Sequence, residues 1–346
     1  MIKFTIDGSS EGALTDRERS VIQDPFPRQV PVLPKPGLSA AGKAVKVPGM
    51  TYHLTVIADP LKKTLNRLLI GDLSRCFRAE PFWLADGEAA TMAVSGVDMG
   101  RLRAEAFEII LAHDAAGDVD LNVLPTLCRR QLLISDMDST MITVECIDEL
   151  ADFAGVKAEV AAITRRAMAG ELDFRGALFE RVHLLEGLST DVIDQVYRER
   201  VRPMPGARIL VQTMCRWGAR TALVSGGFVP FAERVASMLG FEDVVANQLE
   251  SKNGRLTGKV LEPITGPDVK LMTLQRLMRQ HALSPDETLA VGDGANDLPM
   301  IKAAGLGVAY RAHIPVAEAS EAAIRVGDLT ALLYLQGVPK RNFFTE

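Results

Sequence analysis

The sequence predicts an α/β protein: a doubly wound, mostly parallel sheet carrying a helical cap, preceded by a small α+β unit. Three observations carry that prediction. The apolar runs QLLISD (131–136), RTALVSGG (220–227) and TLAVGDG (288–294) each end in small or acidic residues, with helical stretches between them, the pattern of strands feeding a parallel sheet. After the first run, residues of about 146–203 keep helical spacing and offer no strand candidate. Upstream, residues 51–125 read as β-α-β-β-α-β, the order of a ferredoxin-like sandwich.

Taken in order, residues 1–50 are rich in Pro, Gly, Ser and charge, and are expected to form a disordered arm. Within them GLSAAGKA (37–44) approaches a phosphate-binding loop. However, Ala44 stands where a metal-binding hydroxyl is needed and only coil precedes it, so that reading is rejected. TYHLTVIA (51–58) alternates as a strand, and LKKTLNRLLIGDL (61–73) is amphipathic with helical spacing. AEPFWLADGEAATMAVSG (79–96) reads as two strands about Asp86-Gly87, MGRLRAEAFEIILAHDA (99–115) as a second helix, and VDLNVLP (119–125) as the closing strand. His53 and His113 stand alone there and read as structural or surface residues. In the larger part, CIDELADFAG, VAAITRRAMAG and RGALFERVHLLEGL make up the cap, and Asn253-Gly254 turns a hairpin flap in VVANQLESKNGRLTGKVL (244–261).

Composition narrows the function. A length of 346 residues suits two domains, or one large one with an appendage, and 47% hydrophobic content supports a sizeable core. A net charge of −5 argues against nucleic acid or any general polyanion as partner, while leaving room for a local phosphate pocket. No run of eighteen apolar residues exists to span a membrane, and residues 1–50 hold no secretory apolar core. Cys76, Cys128, Cys146 and Cys215 are scattered without a CxxC. That suits a reduced cytoplasm and makes a metal–thiolate site unexpected.

The chemistry gathers at strand ends. LLISDMDST (132–140) terminates on Asp136 and Asp138, spaced i and i+2, with Thr140 beyond. Taken alone, such residues are turn formers or helix caps. Ser225-Gly226-Gly227 alone is a loop, Lys270 in GPDVKLMTLQRLM a solvated lysine, and Asp293, Asn296 and Asp297 in GDGANDLPM a Gly-rich turn or partial calcium loop. Together they suit attack on an anionic phosphate ester. A Mg²⁺ shared by nucleophile and phosphate lowers their repulsion. Asp136 and Asp293 can give it carboxylate oxygens, and Asp138 a backbone carbonyl. Ser225 offers a hydroxyl, Gly226 a backbone N–H at an expected helix start, and Lys270 a positive charge. The Asp138 side chain is then free to protonate a leaving alcohol and activate water.

These segments resemble the motifs of the haloacid dehalogenase-like phosphatase superfamily and, within it, the phosphoserine phosphatase family. The resemblance spans about 131–336, through DMDSTMITVECIDELADFAGV, ITRRAMAGELDF, LFERVHLLEGL, VSGGF, NGRLTGKV, GDGANDLPM and DLTALLYLQG. It implies a catalytic domain over 130–340 with its cap at about 146–203. It also implies Mg²⁺-dependent hydrolysis of O-phosphoserine through an aspartyl phosphate, the last step of phosphorylated serine biosynthesis. Asp136 would be the nucleophile and Asp138 the acid/base. Glu145 and Arg181 would hold the substrate's amino and carboxylate groups, with Met168 and Phe174 in the cap wall. Ser225, Gly226, Lys270 and Asn296 would face the phosphate, with Asp297 and Thr140 supporting from behind. The 51–125 unit resembles the ACT-like domain often joined to this enzyme, which leaves open an amino-acid ligand there and a homo-oligomer. One departure is AYRAHIPVAE (309–318): the family commonly has Lys-Pro where this chain has His313, Ile314 and Pro315, so any basic contribution from that loop stays open.

Other readings compete with this one. A phosphotransferase would use nearly the same site to pass the group to an alcohol such as homoserine. A phospho-accepting receiver would use an Asp and a Lys but need neither Glu145, Arg181 nor a sixty-residue cap. In a third, 51–125 senses an amino acid beside a vestigial catalytic half, against which stands the complete set of polar residues. A cation pump is excluded by the absence of membrane spans.

Overall fold

The computed structural model describes residues 50–168 and 171–345. The arm expected over 1–50, apart from Met50, and the loop-like GLSAAGKA lie outside the described residues. The first sheet has the order β2-β3-β1-β4, antiparallel throughout, with β1 Thr51–Ala58, β2 Pro81–Ala85, β3 Ala89–Ser95 and β4 Val119–Leu124. Two helices, α1 Arg67–Phe77 and α2 Met99–Ala112, complete the β-α-β-β-α-β order. Leu54, Val56, Leu69, Leu73, Leu102 and Ala106 are among its core residues. α1 starts six residues later than the apolar spacing from Leu61 suggests. Lys63 takes a left-handed φ of 52°, and Asn66 caps the helix by accepting a bond from the Leu69 N–H at 2.7 Å. A cap of that kind contributes about 1 kcal/mol, enough to fix the start there. His113 at the end of α2 lies 2.7 Å from Asp72 of α1, a structural link between the two helices.

The second sheet has seven strands in the order β11-β10-β9-β5-β6-β7-β8. These are β5 Leu132–Ser135, β6 Arg220–Phe228, β7 Asp243–Lys252, β8 Arg255–Leu261, β9 Thr288–Gly292, β10 Leu306–Tyr310 and β11 Ala322–Ile324. All pairs are parallel except β7 with β8. β5, β9 and β10 are buried along their whole length, as expected where helices cover both faces. Alternation along β5 sends Leu132 and Ile134 against α9 Pro267–His281 and α10 Leu298–Ala303, through Leu274, Leu277, Met300 and Ile301. Leu133 faces the other layer, which includes Leu210, Val211, Phe231 and Val235 from α7 Ala207–Arg216 and α8 Val229–Leu239. β10 and β11, unassigned from sequence, extend the sheet beyond β9.

The segment between β5 and α7 forms the cap: α3 Cys146–Ala154, α4 Lys157–Met168, α5 Phe174–His183 and α6 Asp191–Glu199. It leaves and rejoins the sheet domain side by side, through an antiparallel bridge between Ile142 and Pro203. The flap is β7 and β8 about Asn253 and Gly254, both at positive φ. No helix among the described residues is long and apolar enough to cross a membrane.

Candidate active site

Asp136 and Asp138 follow β5 directly, and the Asp136 N–H donates to Val291 O of β9 at 3.0 Å. The first carboxylate is therefore fixed at the sheet's carboxyl edge, next to GDGAND. Lys270, in the first turn of α9 and 1% exposed, lies 2.7 Å from Asp136 Oδ1 and 2.6 Å from Asp297 Oδ1. The two carboxylates hold its ammonium firmly protonated, against the desolvation that opposes its charge. Asp297 also accepts from the Gly294 N–H at 3.0 Å, and Thr140 donates to Asp293 Oδ1 at 2.7 Å.

The carboxylate oxygens of Asp136, Asp293 and Asp297 lie within 4.8 Å of one another. One lysine does not balance three acids. Burial, then the charges of Asp136 and Asp297, push the Asp293 carboxyl up to about 8, and burial with Asp136 lifts Asp297 to about 6. Such a set of hard oxygen donors, short of positive charge, fits a divalent cation. Asp297, expected as a support, sits within the acidic triad as well as anchoring Lys270.

Asp138 points elsewhere. Its Oδ1 accepts the Cys146 N–H at 3.2 Å at the start of α3. A Cβ placed on Gly227 would lie 2.6 Å from its Oδ2 and 3.0 Å from Ser225 Oγ, so only glycine lets β6 approach this closely. Burial, followed by the charge of Glu145, holds the Asp138 carboxyl well above the usual carboxylate range. That shift favours the protonated form of Asp138, the form a general acid needs. Ser225 Oγ accepts the Gly227 N–H at 2.8 Å, leaving its own proton free to donate. Gly226 is not at a helix start: β6 continues to Phe228 with an irregularity after Val224, and α8 begins at Val229.

The cap completes the surround. Ser139, at a left-handed φ of 56°, donates to Glu145 Oε1 at 2.7 Å. Glu145 is open to solvent on one side yet crowded by protein, and that crowding raises its carboxyl above the ordinary value. Arg181, half-buried on α5, has one hydrogen bond among the described residues, Nε to Ala177 O at 3.2 Å. Its charge acts on Glu145, Asp148 and Asp138, but it forms no ion pair with them. Phe174 lays its ring against Gly226 and Gly266, so the cap covers this edge of the sheet. Asn296 lies beside Gly294, its side chain making no hydrogen bond among the described residues, and the side chain of Met168 lies outside the described residues. A cleft of about 540 Å³ lined by Lys63, Arg67, Trp83, Glu88 and Lys340 shares no residue with this site.

One residue escaped the sequence reading. Asn247 of β7 is fully buried, donates to Gly226 O at 2.8 Å and Thr265 O at 3.2 Å, and accepts the Thr265 N–H at 2.7 Å. It ties the Ser225-Gly226 backbone to the segment leading into Lys270. The available signal was a lone Asn within VVANQL.

The chain is similar in sequence and fold to known proteins. Residues 133–302 match the model of the haloacid dehalogenase-like hydrolase family. The phosphoserine phosphatase of Streptomyces coelicolor is 41% identical over 300 residues, covering 84% of this chain and 71% of that protein. A probable phosphoserine phosphatase from Vibrio cholerae, solved without ligand, superposes with a TM-score of 0.68 at 32% identity, covering 85% of this chain and 88% of its own. A substrate-bound phosphoserine phosphatase complex superposes with a TM-score of 0.56 at 35% identity, covering 60% of this chain and 98% of its own.

Proposed function

The chain belongs to the phosphoserine phosphatases among the haloacid dehalogenase-like hydrolases, and we infer that it hydrolyses O-phospho-L-serine to L-serine and phosphate. The observation that carries the substrate is the pairing on the cap side. Glu145 and Arg181 both act on Asp138 by their charge, and among the described residues they form no ion pair with each other, leaving one anion and one cation for an α-ammonium and an α-carboxylate. An ACT-like role for residues 51–125 with an amino-acid ligand, a homo-oligomer and a cytoplasmic setting belong to the same reading.

In this mechanism the Asp136 carboxylate attacks phosphorus as the P–O bond to serine breaks. Asp138 gives its proton to the leaving serine oxygen. Asp138 then takes a proton from the water that attacks the aspartyl phosphate, releasing phosphate and restoring Asp136. Lys270 holds Asp136 in place and offsets its charge against the incoming phosphate. The Ser225 hydroxyl and the Gly226 backbone stand ready for phosphate oxygens. Asp136, Asp293 and the Asp138 carbonyl would hold Mg²⁺, which when bound polarises a phosphoryl oxygen and neutralises charge between nucleophile and phosphate.

Arg181→Ala tests the substrate assignment. It leaves a carboxylate unpaired in a partly desolvated pocket, an expected loss of about 2–4 kcal/mol in kcat/KM for phosphoserine. A small phosphate ester lacking both charged groups is expected to be nearly unaffected. If the ratio of the two kcat/KM values moves by less than roughly tenfold, about 1.4 kcal/mol, Arg181 does not read the carboxylate.

Metal dependence has a definite sign with pH. The folded Asp293 carboxyl is raised from 3.8 to about 8. The metal-free fold therefore loses stability as pH rises across that window, since ionisation beside Asp136 and Asp297 opposes folding. A cation reverses this, and protons compete with it below about pH 8. The Mg²⁺-induced rise in Tm is expected to be larger at pH 8.5 than at pH 6, and Asp293→Asn should shrink the difference, leaving the part that Asp297 contributes near pH 6. A rise of equal size at both pH values would contradict the assignment of Asp293 as a ligand.

A further inference from the structure

We propose that Asp120, on the four-stranded unit, is a positioning residue for the cap: it fixes the turn that backs the cap's return hinge. The proposal rests on the reading above, in which the cap supplies Glu145 and Arg181 to the substrate.

The contact path is continuous. Asp120 is 2% exposed, and its side chain meets the turn that follows β11. Its Oδ1 accepts the N–H groups of Arg325 (2.9 Å) and Val326 (3.2 Å), and its Oδ2 those of Val326 (3.0 Å) and Gly327 (2.8 Å). Three consecutive backbone donors thus converge on one carboxylate from another sheet. Without it the Gly327 N–H would be buried and unpaired and its two part-buried neighbours would lose their partner, so the turn would have to rearrange.

The next residues of that turn support the hinge. Leu329 N–H donates to Pro205 O at 3.1 Å. Gly206 takes a left-handed φ of 80°, and a Cβ there would lie 2.7 Å from Thr330 N and 3.0 Å from the Asp328 carboxylate. The 328–330 backbone therefore seats directly on the residues where the cap rejoins the sheet domain. From there the path reaches the catalytic loop. Pro203 bridges Ile142, Met204 N–H donates to Met141 O at 2.9 Å, and Met141 N–H donates to Met137 O at 2.8 Å. Met137 lies between the two catalytic aspartates.

Asn122, two residues along β4 on the same face, provides an internal control. Its side-chain amide pairs with Ala323, donating to the O at 3.2 Å and accepting from the N–H at 3.0 Å. It docks the same unit onto the same strand but touches β11 itself, not the turn behind the hinge. A role in docking alone predicts that Asp120 and Asn122 behave alike. A role in positioning predicts that they differ.

The test uses the full chain with Asp120→Ala, Asp120→Asn and Asn122→Ala. Hydrogen exchange is read at 204–207, at 325–330 and in β5 and β9. Steady-state kinetics are read on O-phospho-L-serine and on p-nitrophenyl phosphate, which lacks the groups the cap reads. Asp120→Ala is expected to speed exchange at 325–330 and 204–207 by roughly tenfold or more, leaving β5 and β9 unchanged. It should lower the phosphoserine-to-aryl-phosphate ratio of kcat/KM by at least roughly fivefold, mainly through KM. Asp120→Asn, isosteric and safer for folding, should move both readouts the same way by less. Asn122→Ala should leave the ratio and the 204–207 exchange unchanged. Wild-type exchange at 204–207 with an unmoved ratio in both Asp120 variants would overturn the proposal, as would an equal shift in Asn122→Ala. If the wild type fails to hydrolyse phosphoserine, the functional reading falls, while the exchange comparison still decides whether Asp120 controls the hinge.

Discussion

Asp136→Asn is expected to abolish turnover and aspartyl-phosphate formation while the chain stays folded. Asn keeps the shape and can still face Lys270, but it has no anionic oxygen to attack phosphorus. Closing the covalent route removes the catalysis that route provides, a loss of several orders of magnitude. Folding should survive because the change relieves charge: Asp136 repels Asp293 and Asp297 within the triad. Lys270 keeps Asp297 at 2.6 Å as its partner. The check is acid-quenched mass spectrometry with phosphoserine, together with a melting curve. A folded variant that still turns over at the wild-type rate would remove Asp136 from the mechanism.

Asp138→Asn should be the next most damaging change. Asn can still accept the Cys146 N–H that holds Asp138 at 3.2 Å, so the α3 start stays in place. What disappears is the proton. Formation and hydrolysis of the phosphoenzyme are each expected to slow by roughly 10²–10⁴-fold, the range for acid–base catalysis. An aryl phosphate has a leaving group that needs little protonation, so its phosphorylation step should suffer less, whereas the shared hydrolysis step should suffer fully. Rapid-quench measurements with both substrates separate the two steps. Equal losses in phosphorylation for the two substrates would count against Asp138 as the acid.

Much of this site was legible because strands end where chemistry begins. QLLISD, RTALVSGG and TLAVGDG each mark a buried run and then its polar end, and the fold brings Asp136, Ser225 and Asp293 to one edge of the sheet. Lys270 and Asp297 follow in the helix and turn that flank them. What stayed hidden depends on partners distant in sequence. Asn247 looks like an ordinary strand residue until its bonds to Gly226 and Thr265 are seen. Asp120 and Asn122 alternate in VDLNVL as a solvent face would, yet β11 and its following turn bury both. The late start of α1 is a local effect of a different kind, in which a left-handed Lys63 and the Asn66 cap override apolar spacing. The extension of β6 through Gly226 reflects pairing with β7 at Phe228, which spacing within VSGGF does not reveal.

The most direct measurement is phosphate release by the full chain from O-phospho-L-serine, set against a panel of small phosphate esters. Each is assayed with Mg²⁺, with excess chelator, and with an added alcohol acceptor such as homoserine. The expected result is Mg²⁺-dependent release that favours phosphoserine by roughly a hundredfold or more in kcat/KM, about 2.7 kcal/mol, and that needs no acceptor. Equal rates across the panel, full activity in chelator, or phosphate appearing only on the added alcohol would contradict the account.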